Sequence, residues 1–298
     1  MRTPKANDLI EVGLAHANKA VSKVFDSDVI FFRSPLFLGV DDSIREYVEE
    51  LKDNGSHKQK RLCVLVETTG GYIEVVERIY SVFRKHYEHV IFVVPSFAYS
   101  AGTVLVLSGD EIYMDYYSVL GPIDPQVDDG EDRFVPGIGY LIKFNELVKQ
   151  INADSAGTNT RAQLAYLIKK FDPAKLFFIE QAQAHAIELL KEWLPKHKFK
   201  DWTVTETRKL PVTVSMKTTR ADEIAQILGK PERWHSHGRG IGIRELMSDE
   251  IKVLVTNFGD DKKSNEAIRC YYDLLIDFFG KMGIANGLHG SRGYRRVS

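Results

Sequence analysis

Two short turns place residues that could carry out acyl-transfer chemistry at the ends of apolar runs. The run "HVIFVVPSFAY" (89–99) leads directly into Ser100, and Ala101-Gly102 opens a further apolar run. A serine in that position stands where a helix begins, and the free N–H groups of a helix N-terminus favour developing negative charge. This spacing suggests nucleophilic attack by Ser100, with a plain N-cap serine as the structural alternative.

A pair of glycines lies in the corresponding place after the preceding apolar run. The run "RLCVLVETT" (61–69) ends at Gly70-Gly71, and a helix-like pattern follows at once. Glycine allows positive φ and lets backbone N–H groups approach a bound oxygen closely. The pair predicts an oxyanion hole or an anion nest, or else a plain tight turn. If both turns follow adjacent strands, nucleophile and oxyanion donors face one another.

Alternating strand and helix patterns position these two turns. Four short apolar runs rich in β-branched residues predict strands: "DVIFFRS" (28–34), "RLCVLVETT" (61–69), "HVIFVVPS" (89–96) and "EIYMDY" (111–116). Three runs with helical spacing lie between them: "DDSIREYVEELKDN" (41–54), "IEVVERIYSVFRKHY" (73–87) and "AGTVLVLSG" (101–109). This order predicts an α/β fold with parallel strands and right-handed crossovers.

The second half of the chain changes to a largely helical pattern. Helices are predicted at 138–151, 173–194 and 218–230, followed by a short strand "IKVLVTN" (251–257) and a final amphipathic helix. We therefore predict one domain over 1–298, with a core at about 25–135 and a helical, oligomerisation part at about 136–298. The Gly-rich, basic end "GLHGSRGYRRVS" (287–298) is predicted to be a flexible, solvated tail rather than a binding patch.

Composition excludes several classes of partner. The 298 residues are 44% hydrophobic and 27% charged with a formal net charge of −1, so no nucleic-acid or anionic-membrane partner is expected. The two unclustered cysteines, Cys63 and Cys270, predict neither a disulfide framework nor a metal site and fit a reducing cytoplasm.

Two stretches of the sequence bear on whether the chain inserts into a membrane. The N-terminus has no long apolar core and carries Asp8 and Glu11, so no signal peptide or anchor is expected. Residues 90–109 carry no charge and are long enough to span a bilayer, but Pro95 and Gly102 fall inside them. A buried strand, a turn and a buried helix explain this stretch better, and we predict a cytoplasmic protein with no integral membrane segment.

Four motifs between residues 61 and 126 resemble a known family. They are "ETTGG" (67–71), "YSAGT" (99–103), "EIYMDY" (111–116) and "LGPIDPQ" (120–126). The chain resembles the serine peptidases of the ClpP/crotonase superfamily, above all the serine dehydrogenase proteinase family, with signal peptide peptidase A and NfeD-type peptidases as relatives. The resemblance implies a ClpP/crotonase-like β-β-α superhelix with a helical C-terminal extension. It also implies that Ser100 is the nucleophile and that the Gly71 and Ala101 N–H groups form the oxyanion hole.

The general base is left open because the chain departs from the family pattern. Clp peptidases carry a histidine where this chain has "VLGPIDPQ" (119–126), so the Ser-His-Asp triad does not transfer. Peptidases of the signal-peptide-peptidase type use a lysine further on, and Lys143 and Lys149 fall in that window. A lysine acts as a base only when desolvation lowers its pKa. Lys143, between Ile142 and Phe144, suits that better than Lys149.

Three histidines complete the set of candidate bases. The related proteinases tend to carry a lysine where this chain has His185, which is itself a plausible base. His235 and His237 lie in "WHSHGRGIGIRELMSD" (234–249), which resembles the family's histidine-containing segment. Asp124 lies two residues after Pro122 and directly before Pro125, and we interpret it as stabilising a turn.

The predicted function is that of a serine-type endopeptidase that cleaves peptides or unfolded proteins through a Ser100 acyl-enzyme. Two alternatives stay open: a crotonase-like acyl-CoA enzyme that uses the oxyanion hole alone, and a catalytically inactive scaffold or regulatory subunit. No cofactor and no metal are predicted, because the "HSH" of 235–237 has no third ligand at a recognisable spacing.

Self-association is predicted from the apolar helices in the second half of the sequence. The resemblance also implies it, because the family packs such helices between subunits to enclose its active sites. The helices offer more apolar surface than a two-layer core obviously needs. The residues concerned are Phe177, Phe178, Ile187, Leu190, Leu274 and Phe278.

Overall fold

The chain forms a mixed β-sheet with helices on both faces. The computed structural model describes residues 5–53, 60–128, 134–153, 171–205 and 207–297, together with residues 162, 165, 166 and 169. The first half contains α1 Ala6–Phe25, β1 Asp28–Arg33, α2 Val40–Asp53, β2 Arg61–Glu67, α3 Ile73–His86, β3 His89–Val93, β4 Phe97–Ala98, α4 Ala101–Leu107, β5 Glu111–Met114 and β6 Val119–Leu120. The second half contains β7 Gln126–Asp128, β8 Phe134–Pro136, α5 Gly137–Ala153, α6 Pro173–Lys196, α7 Val214–Leu228, α8 Pro231–Trp234, α9 Ile243–Leu246, β9 Thr256–Asn257, α10 Lys262–Lys281, β10 Gly287–Gly290 and β11 Gly293–Arg296.

The main sheet brings the two sequence turns to one edge. Within the described residues its strand order is β11-β10-β1-β2-β3-β5-β9. Neighbouring strands from β1 to β9 are parallel, with Leu62 opposite Val90 in the β2–β3 pair. Because parallel strands end at the same edge, the segments after β2 and β3 emerge side by side. These segments contain Gly70-Gly71 and Ser100.

Successive residues of the central strands are buried on opposite faces of the sheet. Leu62, Val64 and Val66 of β2 pack into the core formed with α2, α3, α4, α6 and α7. Cys63 and Leu65 point to the other face, which α1 and α10 cover. Burial on both faces explains why these strands read as continuous apolar runs rather than as alternating patterns. The predicted α/β class, with four parallel strands and their helices, is confirmed.

The uncharged stretch at 90–109 divides as the sequence predicts. It supplies most of β3, the short β4 and the fully buried α4. In the described part of the chain, no helix combines the length and the apolar character needed to cross a bilayer. The strand predicted at 251–257 is shorter in the structure, because only Thr256–Asn257 (β9) pairs with β5.

The prediction that residues 287–298 form a flexible tail is wrong. Residues 287–296 form the hairpin β10–β11, which pairs antiparallel with β1 at the edge of the main sheet. The glycines serve close packing here. A Cβ at Gly290 would lie 2.8 Å from the Val29 carbonyl oxygen. The basic residues are paired, with Arg295 Nη2 at 2.6 Å from Glu50 Oε1, and Val297 is buried.

Most of the late apolar surface is used within the chain. Leu190 and Phe278 are fully buried, and Ile187 and Leu274 are partly buried against the two cores. The reason is that α6 and α10 each cover a face of the sheet. Phe177 and Phe178, near the start of α6, stay exposed at 62% and 56%.

Candidate active site

Ser100 lies directly before α4 in a strained backbone conformation. Its φ is 54° and its ψ is −123°. A residue with a Cβ rarely adopts positive φ, and such positions cluster at functional sites. The turn is closed by the Gly102 N–H donating to the Tyr99 carbonyl and the Thr103 N–H donating to the Ser100 carbonyl, both at 2.8 Å. The half-buried Ser100 side chain forms no capping hydrogen bond to α4 within the described structure, so the plain N-cap role is not the one it has there.

The first glycine of the pair touches the Ser100 turn. Gly70 has φ 91°, and a Cβ at this position would lie 2.7 Å from Ser100 Cβ and 2.6 Å from the Tyr99 carbonyl oxygen. Such distances exclude any side chain. Glycine is therefore required at position 70 both by its backbone conformation and by the close approach of Ser100.

The N–H groups of Gly71 and Ala101 are candidate oxyanion donors. Leu36, just after β1, fixes the glycine turn, because its N–H donates to the Gly70 carbonyl and its carbonyl accepts from the Tyr72 N–H, each at 2.8 Å. This bridge leaves out the Gly71 N–H. No acceptor for the Gly71 or the Ala101 N–H occurs among the residues that the structure describes. Two such donors flanking a serine can stabilise an oxyanion.

A third backbone segment closes the junction from the other side. Gly121 packs on the Ser100 turn so tightly that a Cβ there would lie 2.5 Å from the Tyr99 ring and 3.3 Å from Ser100 N. The buried Thr103 hydroxyl ties this segment to α4, accepting from the Gly121 N–H at 3.0 Å. It lies 2.8 Å from the Gly121 carbonyl and 2.9 Å from the Ala98 carbonyl. Gly121 is thereby held against the Ser100 turn.

Asp124 and His237 form a pair that the sequence does not reveal. His237 Nδ1 lies 2.8 Å from Asp124 Oδ1. The Asp124 side chain is 1% exposed and that of His237 is 19% exposed. The other Asp124 oxygen accepts from Gln126 Nε2 at 3.0 Å, which fixes the carboxylate. Asp124 follows Gly121 by three residues, so chain geometry keeps it within about 11 Å of the segment that packs on Ser100.

Backbone pairing between two segments that are distant in sequence positions His237 beside Asp124. The Leu120 and Ile241 backbones exchange hydrogen bonds of 3.0 and 2.8 Å. Gly240 packs on Val119, where a Cβ would lie 2.7 Å from the valine side chain. Trp234 is buried, and its indole N–H donates to the Ile227 carbonyl at 3.0 Å. The histidine loop is therefore anchored on both sides of His237.

The lysines favoured by the family pattern face solvent in the single chain. Lys143 lies on α5 with 69% of its side chain exposed, and its Nζ is 2.8 Å from Glu146 Oε2. Lys149 of the same helix is also exposed. The desolvation expected for Lys143 from its apolar neighbours in sequence is thus wrong, because those neighbours lie on other faces of the helix. The role of Lys143 as a base stays a prediction.

The other two histidines have different surroundings. His185 Nε2 lies 3.3 Å from Glu77 Oε2 of α3, and its side chain is 29% exposed. His235 ends α8 in a left-handed conformation with φ 61° and is exposed. The two imidazoles of the "HSH" segment therefore differ, because His237 alone contacts a buried carboxylate. The described residues contain no group of three or more metal-ligating side chains.

The largest cluster of shifted pKa values lies at the opposite edge of the sheet. Burial raises the pKa of Asp110, but hydrogen bonds from Lys200, the Val90 N–H and Arg84 outweigh it and hold that pKa well below its usual range. The Lys200 and Arg84 contacts are both 2.6 Å. Burial lowers the pKa of Lys198 to about 8. These groups fasten the segment after α6 to the sheet, and ion-pair networks of this kind shift pKa values without catalysis.

A family profile and two relatives match the sequence. The profile of the ClpP-like SDH-type serine proteinases matches residues 26–215, a range that includes Gly71, Ser100 and Asp124 and ends before His237. An uncharacterized protein of Methanocaldococcus jannaschii is 30% identical over 183 residues, which are 60% of this chain and 57% of that protein. A second uncharacterized protein of the same organism is 34% identical over 64 residues, 22% of each chain. The chain therefore spans less than two thirds of either relative.

Two solved structures resemble the chain more distantly. One is a variant of the membrane-bound stomatin-specific protease 1510-N, with a TM-score of 0.45, 12% identity and coverage of 82% of this chain and 84% of that one. The other is the catalytic domain of the ClpP protease from Plasmodium falciparum, with a TM-score of 0.29, 16% identity and coverage of 40% and 61%.

Proposed function

Because the chain belongs to the family of ClpP-like SDH-type serine proteinases, we propose that it hydrolyses peptide bonds with Ser100 as nucleophile and His237 as general base. The observation that carries this proposal is the 2.8 Å contact between His237 Nδ1 and the buried Asp124 carboxylate. A carboxylate that accepts from Nδ1–H leaves Nε2 as the proton acceptor, which is the tautomer a serine nucleophile needs.

The proposed reaction follows from these groups. Ser100 Oγ attacks the scissile carbonyl while His237 Nε2 takes the serine proton. The Gly71 and Ala101 N–H groups stabilise the oxyanion of the tetrahedral intermediate. His237 then gives the proton to the leaving amine, and a water molecule, activated by the same imidazole, hydrolyses the acyl-enzyme.

The geometry bears on the other candidate bases. A lysine base needs desolvation, which the exposed, ion-paired Lys143 lacks in the single chain. His185 contacts the half-exposed Glu77 instead of a buried carboxylate. The His237–Asp124 pair offers a candidate base and so weighs against the inactive-scaffold alternative. Ser100 weighs against the acyl-CoA alternative, since such an enzyme needs no serine there.

Labelling with a fluorophosphonate probe tests the nucleophile directly. An activated serine oxygen displaces fluoride from the phosphorus, and unactivated serines react poorly. We expect one label per chain, located by peptide mass spectrometry on Ser100, and none on heat-denatured protein. A folded protein that takes no label, or takes it on another serine, contradicts the proposal.

We also propose that the chain forms a homo-oligomer whose enclosed sites admit short or unfolded peptides. The support is the exposure of two adjacent aromatic side chains on α6, Phe177 and Phe178, since contiguous exposed apolar surface marks contact sites more often than isolated apolar residues do. Light scattering should give a mass above the 33.9 kDa of one chain. The double variant Phe177→Asp and Phe178→Asp should return the monomer mass, whereas Leu210→Asp, at another exposed apolar position, should not. Wild-type protein that scatters as a monomer contradicts this proposal.

A reducing, cytoplasmic location is proposed from the cysteines. Cys63 is buried and Cys270 is exposed, and both are free thiols. Exposed free thiols are typical of proteins kept in reducing compartments.

A further inference from the structure

Helix α10 ties neighbouring strands together at the edge of the sheet that leads to Ser100. Two of its side chains, Arg269 and Tyr272, are three residues apart and so lie on the same side of the helix. They reach two buried carboxylates, Asp115 and Glu67. Glu67 is the last residue of β2 and Asp115 directly follows β5, so both acids lie at the carboxyl end of a strand. We call these four residues the α10 clamp.

The Glu67 carboxylate is held by side chains from two elements. The Tyr272 hydroxyl donates to Glu67 Oε2, and Arg33 Nε of β1 lies 3.0 Å from Oε1. Burial, and then the neighbouring Glu67 carboxylate, raise the pKa of Tyr272, so its hydroxyl keeps the proton that it donates. Because the Glu67 side chain is only 7% exposed, these partners rather than water fix its position.

Glu67 directly precedes the residue that joins the two turns of the candidate site. The carbonyl of Thr68 accepts from the Tyr99 N–H at 2.9 Å, next to Ser100 in the chain. The Thr68 hydroxyl accepts from the Gly70 N–H at 3.1 Å. Thr68 therefore links the glycine turn to the serine turn, and the anchored Glu67 holds Thr68 in place.

The Arg269 half of the clamp holds the segment that leads from β3 to Ser100. Arg269 Nη1 donates to the Pro95 carbonyl at 2.9 Å, and Nη2 donates to Asp115 Oδ2. The other oxygen, Asp115 Oδ1, accepts from the Ser118 N–H at 3.1 Å and from its hydroxyl at 3.0 Å. One guanidinium thus joins the segment after β3 to the segment after β5.

We propose that Arg269 and Tyr272 are positioning residues, which hold the Gly70-Gly71 turn and the Ser100 turn in the relative arrangement that stabilisation of the transition state requires. Buried ionic groups can often be replaced by apolar residues without loss of stability, which favours a geometric role for the clamp. The proposal rests on the proposed peptidase function. Because the clamp acts through the two turns and not through peptide binding, its loss should lower kcat and leave KM nearly constant.

Tyr272→Phe removes the hydroxyl alone. We expect kcat for a quenched fluorogenic peptide to fall about tenfold with KM unchanged within about twofold, since a misplacement of about 1 Å can cost about 10²-fold in rate. Tyr271→Phe is the matched control, at the next position of α10. The Tyr271 hydroxyl lies 2.9 Å from Asn18 Nδ2 and 2.6 Å from His289 Nδ1, on the β10 side of the sheet. This control should lower the melting temperature at least as much and keep near wild-type kcat.

Arg269→Met removes the other half of the clamp, and we expect kcat to fall about 10²-fold at nearly constant KM. Its matched control is Arg84→Met. Arg84 also joins a buried carboxylate to a carbonyl, with Asp110 Oδ2 at 2.6 Å and the Ser108 carbonyl at 2.5 Å, but at the opposite edge of the sheet. The control should lose stability and keep kcat. The rate of fluorophosphonate labelling should fall in parallel with kcat in both clamp variants, because the phosphonyl oxygen also uses the oxyanion donors.

Unchanged kcat in both Tyr272→Phe and Arg269→Met overturns the proposal. An equal fall of kcat in the two controls, or a rise of KM without a fall of kcat, overturns it as well. If circular dichroism shows that Arg269→Met does not fold, the comparison of Tyr272→Phe with Tyr271→Phe decides alone. Failure of the proposed function is seen separately, as absence of fluorophosphonate label on folded wild-type Ser100, whereas a labelled wild type with undiminished variants counts against the clamp only.

Discussion

Ser100→Ala should lower kcat for peptide hydrolysis by about 10⁶-fold, the loss typical when a serine peptidase loses its nucleophile. Alanine cannot form the acyl-enzyme, so only substrate binding and the oxyanion donors remain to assist attack by water. The measurement is steady-state hydrolysis of a quenched fluorogenic peptide by wild type and variant at equal concentration.

The fold should survive this exchange. The Ser100 hydroxyl makes no capping hydrogen bond to α4 in the described structure, so we expect the free energy of unfolding to change by less than about 1 kcal/mol. Ser96→Ala, four residues earlier in the same connection, is the matched control and should keep near wild-type turnover. Undiminished hydrolysis by Ser100→Ala would show that another group attacks the substrate.

The sequence predicts the sheet and its covering helices because those elements depend on local patterns. Continuous apolar runs such as 61–69 indicate strands buried on both faces, and the structure has them there. The C-terminal hairpin was not predictable in the same way. Gly287 and Gly290 read as flexible, whereas their role is to let Phe279, Val29 and Tyr47 pack against the backbone. Composition cannot separate these two uses of glycine.

The Ser100 and Gly70-Gly71 turns were predictable for a related reason. Each directly follows a strand, and adjacent parallel strands end at one edge, so two local patterns fix a tertiary contact. The structure adds why Gly70 must be glycine, since a Cβ would lie 2.7 Å from Ser100 Cβ.

The sequence leaves His237 as one of several candidate bases, because its pairing with Asp124 depends on a long-range contact. His237 and Asp124 are 113 residues apart, and their pairing follows from the bridge between Leu120 and Ile241. The segment at 119–126, where Clp peptidases carry a histidine, supplies a carboxylate instead. The proline-framed Asp124 looks like a turn residue in sequence, and only its burial beside an imidazole suggests chemistry. A triad is recognised by geometry and not by the order of its members in the chain.

The proposed base, His237, leads to the second large effect. We expect His237→Ala to lower kcat by about 10⁶-fold and Asp124→Asn by about 10⁴-fold, as found when a triad histidine is lost or its tautomer is reversed. Both variants should also lose fluorophosphonate labelling of Ser100. In the double variant with Ser100→Ala, the His237→Ala exchange should cause almost no further loss, because the two groups act as a unit.

Matched exchanges separate this assignment from its competitors. His235→Ala removes an exposed imidazole two residues away and should leave turnover within a few-fold of wild type, as should Lys143→Met and His185→Ala. Added imidazole should restore part of the activity of His237→Ala, because a small base can enter the space that the side chain leaves, and a merely structural loss would not respond. If Lys143→Met instead abolishes turnover while His237→Ala retains it, the base is the lysine, and assembly of several chains must then desolvate a side chain that is 69% exposed in one.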